Sequence, residues 1–234
     1  MLLSYEPNDM SHAILVVEDE ARLAQAICKY LHAEGYRTRT VENGAEAVNA
    51  AKVMNPDLIL LDIMLPDLNG VDVCQAIREF SAVPIIMLTA KVEQPDRLAG
   101  FKVGADDYVC KPFNPQELMY RIAAVLRRTT ESATSNDAIY TYGEVTLNSR
   151  EHSVYVGNQP VTLTNTEFLI LQSMLANPNQ VFSREDLLEL IKGRYIENYA
   201  RAVDWHIKNL RKKINILPGM ALIKTLYAVG YKLD

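Results

Sequence analysis

The sequence predicts an α/β fold, a doubly wound five-stranded parallel sheet over the first half, followed by a smaller α+β domain. Three observations predict it. Short apolar runs alternate with amphipathic stretches through the first half, the pattern of repeated βα units around a parallel sheet. Two of those runs, residues 58–61 and 85–88, are apolar at every position, as central strands covered on both faces require. At 234 residues the chain is longer than a usual single domain and suits two modest ones, each with its own core.

Taken in order, the candidate strands are residues 13–17, 36–40, 57–61, 83–88 and 107–110, with helix-like segments 20–34, 44–54, 70–79, 94–103 and 114–128 between and after them. Residues 129–137, TTESATSND, are polar without an apolar period and read as a linker between domains spanning 12–128 and 138–234. Beyond it, residues 139–146 and 153–156 read as short strands, with a turn at Asn158-Gln159-Pro160. Residues 164–176 have helix spacing with Phe168, Leu171 and Leu175 on one face, and Thr164-Asn165-Thr166-Glu167 fits a capping box. Ser183-Arg184-Glu185-Asp186 opens a second helix, and residues 198–217 hold a third, long and basic. Residues 221–233 read as two short strands bending near Ala228 and Gly230. Three helices followed by a β-hairpin predict a winged helix-turn-helix.

Composition excludes several classes. Hydrophobic residues make up 49% and charged residues 23%, a globular balance rather than a disordered one. No apolar run approaches the roughly 20 residues needed to span a bilayer, so no membrane partner is expected. Residues 1–11 lack the features of an export signal and read as a flexible extension, with Met10 as an alternative start and a cytoplasmic location implied. Cys28, Cys74 and Cys110 are odd in number and scattered, which suits free thiols rather than a disulfide framework or a zinc site. The net charge of -5 is unevenly spread: residues 1–128 hold 13 Lys/Arg against 18 Asp/Glu, and residues 138–234 hold 11 against 9. Five bases stand against the single acid Asp204 within residues 201–213, a basic helix suited to nucleic acid, although such a run is often only a solvated face.

Three acids stand at strand ends: Glu18 and Asp19 after the first, and Asp62 after the third. In a doubly wound sheet those ends form the ligand crevice, so the carboxylates converge. Their mutual repulsion calls for a hard divalent cation, and magnesium suits one or two carboxylates, several waters and a phosphate oxygen. Lys111 after the fifth strand and Thr89 at the end of the fourth share that edge and can serve phosphoryl oxygens. Asp62 is then the nucleophile that would form an aspartyl phosphate. Singly, such acids are usually helix caps, the threonine a turn residue and the lysine a surface charge. Their joint occurrence in strand context favours a site.

The runs ILVVEDE (14–20), LILLDIMLPDLNG (58–70), PIIMLTAK (84–91) and GADDYVCKPF (104–113) resemble the receiver domain of bacterial response regulators, a flavodoxin-like fold. The resemblance implies that Asp62 accepts phosphate from a sensor histidine kinase and that Glu18, Asp19, Asp62 and the Met64 carbonyl hold Mg2+. It also implies a switch pair, Thr89 and Tyr108, and a cis Lys111-Pro112 peptide. LTNTEFLILQSMLANPNQVFSREDLL, ARAVDWHIKNLRKKI and IKTLYAVGYKLD resemble the winged-helix effector domain of the OmpR/PhoB family, with HIKNLRKK and the wing most like its BaeR branch, regulators of envelope stress and drug efflux. Thus the chain is expected to be a transcriptional regulator rather than an enzyme, with double-stranded promoter DNA and RNA polymerase as partners.

In the basic helix, Val203, Ile207, Leu210 and Ile214 recur at core spacing, leaving Arg201, His206, Lys208, Asn209, Arg211 and Lys212 for DNA, while Lys213 is left as a solvated charge. His206 reads either as a core histidine or, by its basic neighbours, as a phosphate contact. Thr225, Tyr227 and Tyr231 are the expected wing contacts, although Tyr227-Ala228 stands where the family often has Arg-Gly. The resemblance further implies a phosphorylation-dependent homodimer through Arg97, Asp106, Asp107, Glu117 and Arg121, paired as Arg97 to Glu117 and Asp107 to Arg121. Lys102 and Ala123 replace a usual acid and base, removing one pair. Two other classes compete: a phosphohydrolase with an aspartyl nucleophile, disfavoured because Met64 stands where its second acid would be, and a phosphorelay scaffold whose second domain binds protein.

Overall fold

In the computed structural model of the chain, residues 12–90, 103–134, 138–192 and 200–234 are described. Five parallel strands form the first sheet: β1 (Ala13–Val17), β2 (Arg37–Val41), β3 (Leu58–Asp62), β4 (Ile85–Thr89) and β5 (Asp107–Cys110), in the order β2-β1-β3-β4-β5. They alternate with α1 (Ala21–Ala33), α2 (Gly44–Met54) and α3 (Gly70–Arg78), and α4 (Pro115–Thr134) follows β5. The helix expected over 94–103 falls almost wholly outside the described residues, as do Arg97 and the expected extension 1–11.

Both all-apolar runs form fully buried strands, because alternate residues feed two separate cores. Ile14, Val16, Leu58, Leu60, Ile86 and Leu88 pack on one face, and Leu15, Val17, Ile59, Leu61, Ile85 and Met87 on the other. Strand β2, at the sheet edge, is the polar one, with Arg37, Arg39 and Thr40 exposed. Asn43 caps α2 by accepting from the Glu46 N–H, and Asn69 caps α3 by accepting from the Val71 N–H.

Three readings differ from expectation. Helix α4 runs six residues past 128, so most of the expected linker 129–137 is helical; TTESAT contains neither Gly nor Pro, and polarity alone does not stop a helix. The single strand expected over 139–146 is a hairpin of β6 (Ile139–Tyr142) and β7 (Val145–Asn148), turned at Gly143, which holds a φ of 55°. The expected turn at Asn158-Gln159-Pro160 is instead centred on Gly157-Asn158, and β9 (Gln159–Pro160) pairs back onto β8 (Ser153–Val156).

The rest of the second half is α5 (Asn165–Ala176), α6 (Arg184–Lys192), α7 (Ala200–Ile214) and the antiparallel hairpin β10 (Ile223–Leu226) and β11 (Gly230–Leu233). The capping box at the start of α5 is complete: Thr164 Oγ1 accepts from the Glu167 N–H at 3.3 Å and Glu167 Oε2 accepts from the Thr164 N–H at 2.8 Å. Val203, Ile207, Leu210 and Ile214 of α7 are all fully buried with Phe168, Leu171 and Leu175. The hairpin is tied down by Phe182 and Tyr231, which exchange backbone hydrogen bonds of 2.8 and 2.9 Å. Gly230 permits this approach, since a Cβ there would lie 2.0 Å from the Phe182 carbonyl oxygen.

Candidate functional site

The C-terminal ends of β1 and β3 bring Glu18, Asp19 and Asp62 together, with one carboxylate oxygen of each lying within 4.8 Å of the others. Glu18 and Asp62 are buried and Asp19 is exposed. The register explains the placement: β1 and β3 pair in parallel from Ile14–Leu58 to Val17–Leu61, so the next residues emerge side by side. Lys111, which follows β5, donates from Nζ to both Glu18 oxygens at 2.8 and 2.6 Å and to Asp62 Oδ2 at 2.6 Å. Its backbone N–H donates to the Thr89 carbonyl at 2.7 Å, and the Lys111-Pro112 peptide is cis.

Burial pushes the Glu18 carboxyl up, and the neighbouring Asp62 charge adds to it, against the downward pull of Lys111. Burial pulls the Lys111 ammonium down, but its hydrogen bonds to Asp62 and Glu18 outweigh that and hold it above its ordinary value. Three carboxylates within 4.8 Å of one another, two of them engaged by Lys111, are a hard-oxygen donor set that accepts a further cation. Met64 donates its N–H to Asp62 Oδ1 at 3.0 Å, fixing the carboxylate's orientation from its own chain.

Thr89 is buried at the end of β4, and Tyr108 is buried at mid β5, beside Met87 in register. Asp67, which sequence reasoning passed over, accepts from the Gly44 and Ala45 N–H groups at 2.7 and 3.0 Å, clamping the loop after Asp62 to the start of α2. These bonds hold its carboxyl below the usual range. The LPDLNG run was its signal.

The basic helix separates into unequal parts. Lys208 and Lys212 are exposed and Asn209 is half-buried; the Lys208 ammonium lies 4.8 Å from the Trp205 ring centroid. Lys213, expected to be solvated, pairs with Glu167 at 2.7 Å. Arg211 donates to the Ile223 carbonyl at 3.0 and 2.8 Å and to Thr225 Oγ1 at 2.8 Å, so both expected DNA residues brace the helix against the wing. His206 is 1% exposed, which corrects its reading as a phosphate contact: it stands three residues after Val203 and four before Leu210, on the apolar stripe. Tyr231 is likewise buried, its hydroxyl donating to Asp204 and receiving Arg184 at 3.4 Å. Tyr227 is 92% exposed at the hairpin tip, before Ala228 with a φ of 61°. Arg201 lies at the start of α7.

Of the expected dimer residues, Arg121 donates to Asp107 Oδ2 at 3.0 Å and to Glu117, both within one chain. Asp106 is buried rather than available at a surface: it accepts from Arg78 at 3.0 Å and from Thr166 at 2.9 Å. Sequence reasoning missed Arg78, Thr166 and Trp205, because nothing local marks a residue that meets a partner sixty positions away.

Comparison with known proteins decides the family. Residues 14–123 match the family described as response regulator receiver domain, and residues 158–233 the family described as transcriptional regulatory protein, C terminal. The chain is 38% identical over 232 residues to the transcriptional regulatory protein SrrA of Staphylococcus aureus, covering 96% of each. The chain belongs to the OmpR/PhoB-type response regulators. Among solved structures, a mutant of RitR matches with a TM-score of 0.77 at 28% identity, over 96% of this chain and 99% of that one. The Thermotoga maritima OmpR/PhoB homologue DrrB is 31% identical over the same shares, with a TM-score of 0.50. This response regulator therefore joins a receiver domain to a winged-helix transcriptional regulatory domain. Among the described residues no helix is long and apolar enough to cross a membrane.

Proposed function

We propose that Asp62 is the phosphoacceptor through which a partner sensor histidine kinase controls promoter binding by the winged-helix domain. One observation carries the reading: a buried carboxylate at the end of a central strand, flanked by two further acids, with the Lys111 ammonium 2.6 Å away. In the transfer, an Asp62 oxygen attacks the phosphorus of the kinase's phosphohistidine. The new O–P bond forms as the N–P bond breaks, the electron pair returns to the imidazole nitrogen, and that nitrogen takes up a proton. Lys111 turns from the carboxylates to the phosphoryl oxygens, and the Thr89 hydroxyl donates to one of them. Hydrolysis by water later restores the carboxylate and releases inorganic phosphate.

Glu18, Asp19, Asp62 and the Met64 carbonyl would hold Mg2+, which supplies charge neutralisation at the phosphoryl oxygens when bound. The three acids share one end of the sheet within 4.8 Å of one another, and burial together with the Asp62 charge beside it pushes Glu18 up, which a cation there would offset. Phosphorylation adds about two negative charges, and Thr89 and Tyr108 carry that change to the face containing β5 and α4. Dimerisation there, through Asp107, Glu117, Arg121 and Arg97, sets two winged helices on half-sites about one helical turn apart. Arg201, Lys208, Asn209 and Lys212 read the major groove from α7, while Arg211 and Thr225 position the wing whose tip is Tyr227. RNA polymerase is the further partner, the location is cytoplasmic, and the output is binding rather than turnover of a substrate. Control of envelope stress or efflux rests on the BaeR resemblance alone.

The test is direct. With acetyl phosphate and magnesium, the intact mass of the wild type gains one phosphoryl group and that of Asp62→Ala gains none. Genome-wide mapping of bound DNA for the two then gives the operator; identical occupancy and identical transcription refute phosphorylation control. Duplex binding that weakens steeply with salt separates this reading from a protein-binding scaffold.

A further inference from the structure

The hairpin of β10 and β11 ends in Tyr227, the most exposed large hydrophobic side chain among the described residues at 92%. Val229, two positions on, is 57% exposed, and Ala228 between them is exposed as well. Residues 225–231, TLYAVGY, carry no charge. The flanking bases lie outside the tip: Lys224 donates to the two Asp234 carboxylate oxygens at 3.2 and 3.3 Å, and Lys232 is half-buried. The tip is an uncharged apolar projection.

The projection is braced from behind. The Leu226–Gly230 pair closes the hairpin, and the Val229 N–H donates to the Leu226 carbonyl at 3.0 Å. Ala228 turns the chain with a φ of 61°, a left-handed conformation uncommon for a residue with a Cβ. Phe182 and Tyr231 exchange backbone hydrogen bonds at the hairpin base, and Arg211 of α7 donates to the Ile223 carbonyl and to Thr225 Oγ1. One arginine thus ties the basic helix to the hairpin, so a polyanion lying along the exposed Lys208 and Lys212 passes the tip as well.

Single exposed apolar residues are ordinary; here two are displayed together on a fixed support beside a basic helix. Without a cation, the tip gains nothing from phosphates or from the negative potential of a narrow minor groove. It can offer bases an aromatic face and an aliphatic side chain. Apolar wedges of this kind enter the minor groove between base steps, unstack them and kink the duplex. Unstacking is easiest at pyrimidine–purine steps.

We propose that Tyr227 and Val229 form a wedge that enters a base step beside the major groove occupied by α7 and bends the duplex there. This rests on duplex DNA as the partner of the winged-helix domain, and it adds a second source of specificity. Helix α7 reads base edges, whereas the wedge selects a TA or CA/TG step for its ease of unstacking.

Full-length wild type, Tyr227→Ala and Tyr227→Phe, with and without acetyl phosphate and magnesium, each select from a pool of short duplexes of randomised sequence. Wild type and Tyr227→Phe enrich a pyrimidine–purine step at a fixed spacing from the bases read by α7; Tyr227→Ala keeps those bases and loses the step. In the selected duplex, 2-aminopurine then replaces the adenine of that step. Its fluorescence rises as wild type or Tyr227→Phe unstacks it and stays flat with Tyr227→Ala, which binds about ten-fold more weakly with an unchanged salt slope. The side chain is exposed, so all three chains melt together. A Tyr227→Phe that behaves like Tyr227→Ala overturns the wedge, because the hydroxyl rather than the ring then makes the contact. A wild-type complex in which the 2-aminopurine stays quenched, or a selected site with no preferred step at that spacing, overturns it too. A wild type that enriches no duplex under either condition overturns the DNA reading itself, and the wedge with it.

Discussion

Replacing Gly70 by alanine tests how the Asp62 carboxylate is held. Gly70 opens α3, and its N–H donates to the Ile63 carbonyl at 2.9 Å, so the helix start is pressed onto the end of β3. A Cβ at this position would lie 2.1 Å from the Asp62 carbonyl oxygen, 2.8 Å from Ile63 Cα and 2.9 Å from the Asp62 carbonyl carbon. All three are backbone atoms, so no side chain can turn away, and strand or helix must shift by roughly 1 Å to restore contact distance. Overpacking of this kind costs about 1–3 kcal/mol, which lowers the melting temperature by several degrees in a domain of this size. A displacement of roughly 1 Å at a reacting group lowers the rate about a hundred-fold. Gly44→Ala is the comparison: its Cβ would meet Val73 Cγ2 at 2.6 Å and Leu68 Cβ at 2.9 Å, neither of them an atom of Asp62 or its neighbour, so it also destabilises but the loss of rate is smaller. Stopped acetyl phosphate reactions read by intact mass, with calorimetric melting on the same samples, measure the two effects. If Gly70→Ala accepts phosphoryl at the wild-type rate and melts with wild type, the packing of α3 on Asp62 does not position the nucleophile.

Three further outcomes follow from burial. Tyr231 and Tyr227 separate stability from DNA contact: Tyr231→Phe removes a hydroxyl bonded to Asp204 and costs about 1–2 kcal/mol, whereas Tyr227→Ala, at an exposed tip, leaves melting unchanged and weakens duplex binding. Burial, with the Asp204 hydrogen bond, pushes the Tyr231 phenol up to about 12, so the folded chain keeps that proton; its stabilisation is complete below pH 10.0, declines as pH rises from there towards 12, and is absent in Tyr231→Phe. Burial also pushes the Cys74 thiol up to about 11, so a thiol reagent titrates Cys28 and Cys110 in the native chain and reaches Cys74 only on denaturation; a Cys74→Ser variant with one fewer native reactive thiol would contradict this.

What the sequence made legible was whatever a local period carries. The runs at β3 and β4 read as doubly covered strands because every position had to be apolar, and the acids at their ends followed from the edge they share. The same period on α7 places Val203, Ile207, Leu210 and Ile214 inside, and applied strictly it also places His206 there; its basic neighbours pointed the other way, and geometry prevailed. Tyr231 was hidden by the alternation of a hairpin, which leaves open which strand face is covered until Phe182 is seen pairing with it. Residues 129–134 misread because loss of an apolar face removes the evidence for a helix without removing the helix. Arg78, Thr166 and Trp205 were illegible for a stronger reason. Arg78 meets Asp106 only once the receiver has folded, and Thr166 and Trp205 act only where two domains meet, so no local pattern encodes any of them.

The adjacent acids Asp106 and Asp107 show what dimerisation must overcome. Asp107 is already paired with Arg121, which also holds Glu117, and Asp106 is already enclosed by Arg78 and Thr166. If two receivers join through Asp107, Glu117 and Arg121, each ion pair between chains replaces one made within a chain, by the same groups and at similar exposure. Such an exchange is close to neutral, since the same charges are paired before it and after it. The charges therefore set register and partner choice, and the free energy that drives association has to come from surface whose burial changes. On this account the salt dependence of dimerisation is weak while its heat-capacity change is large and negative.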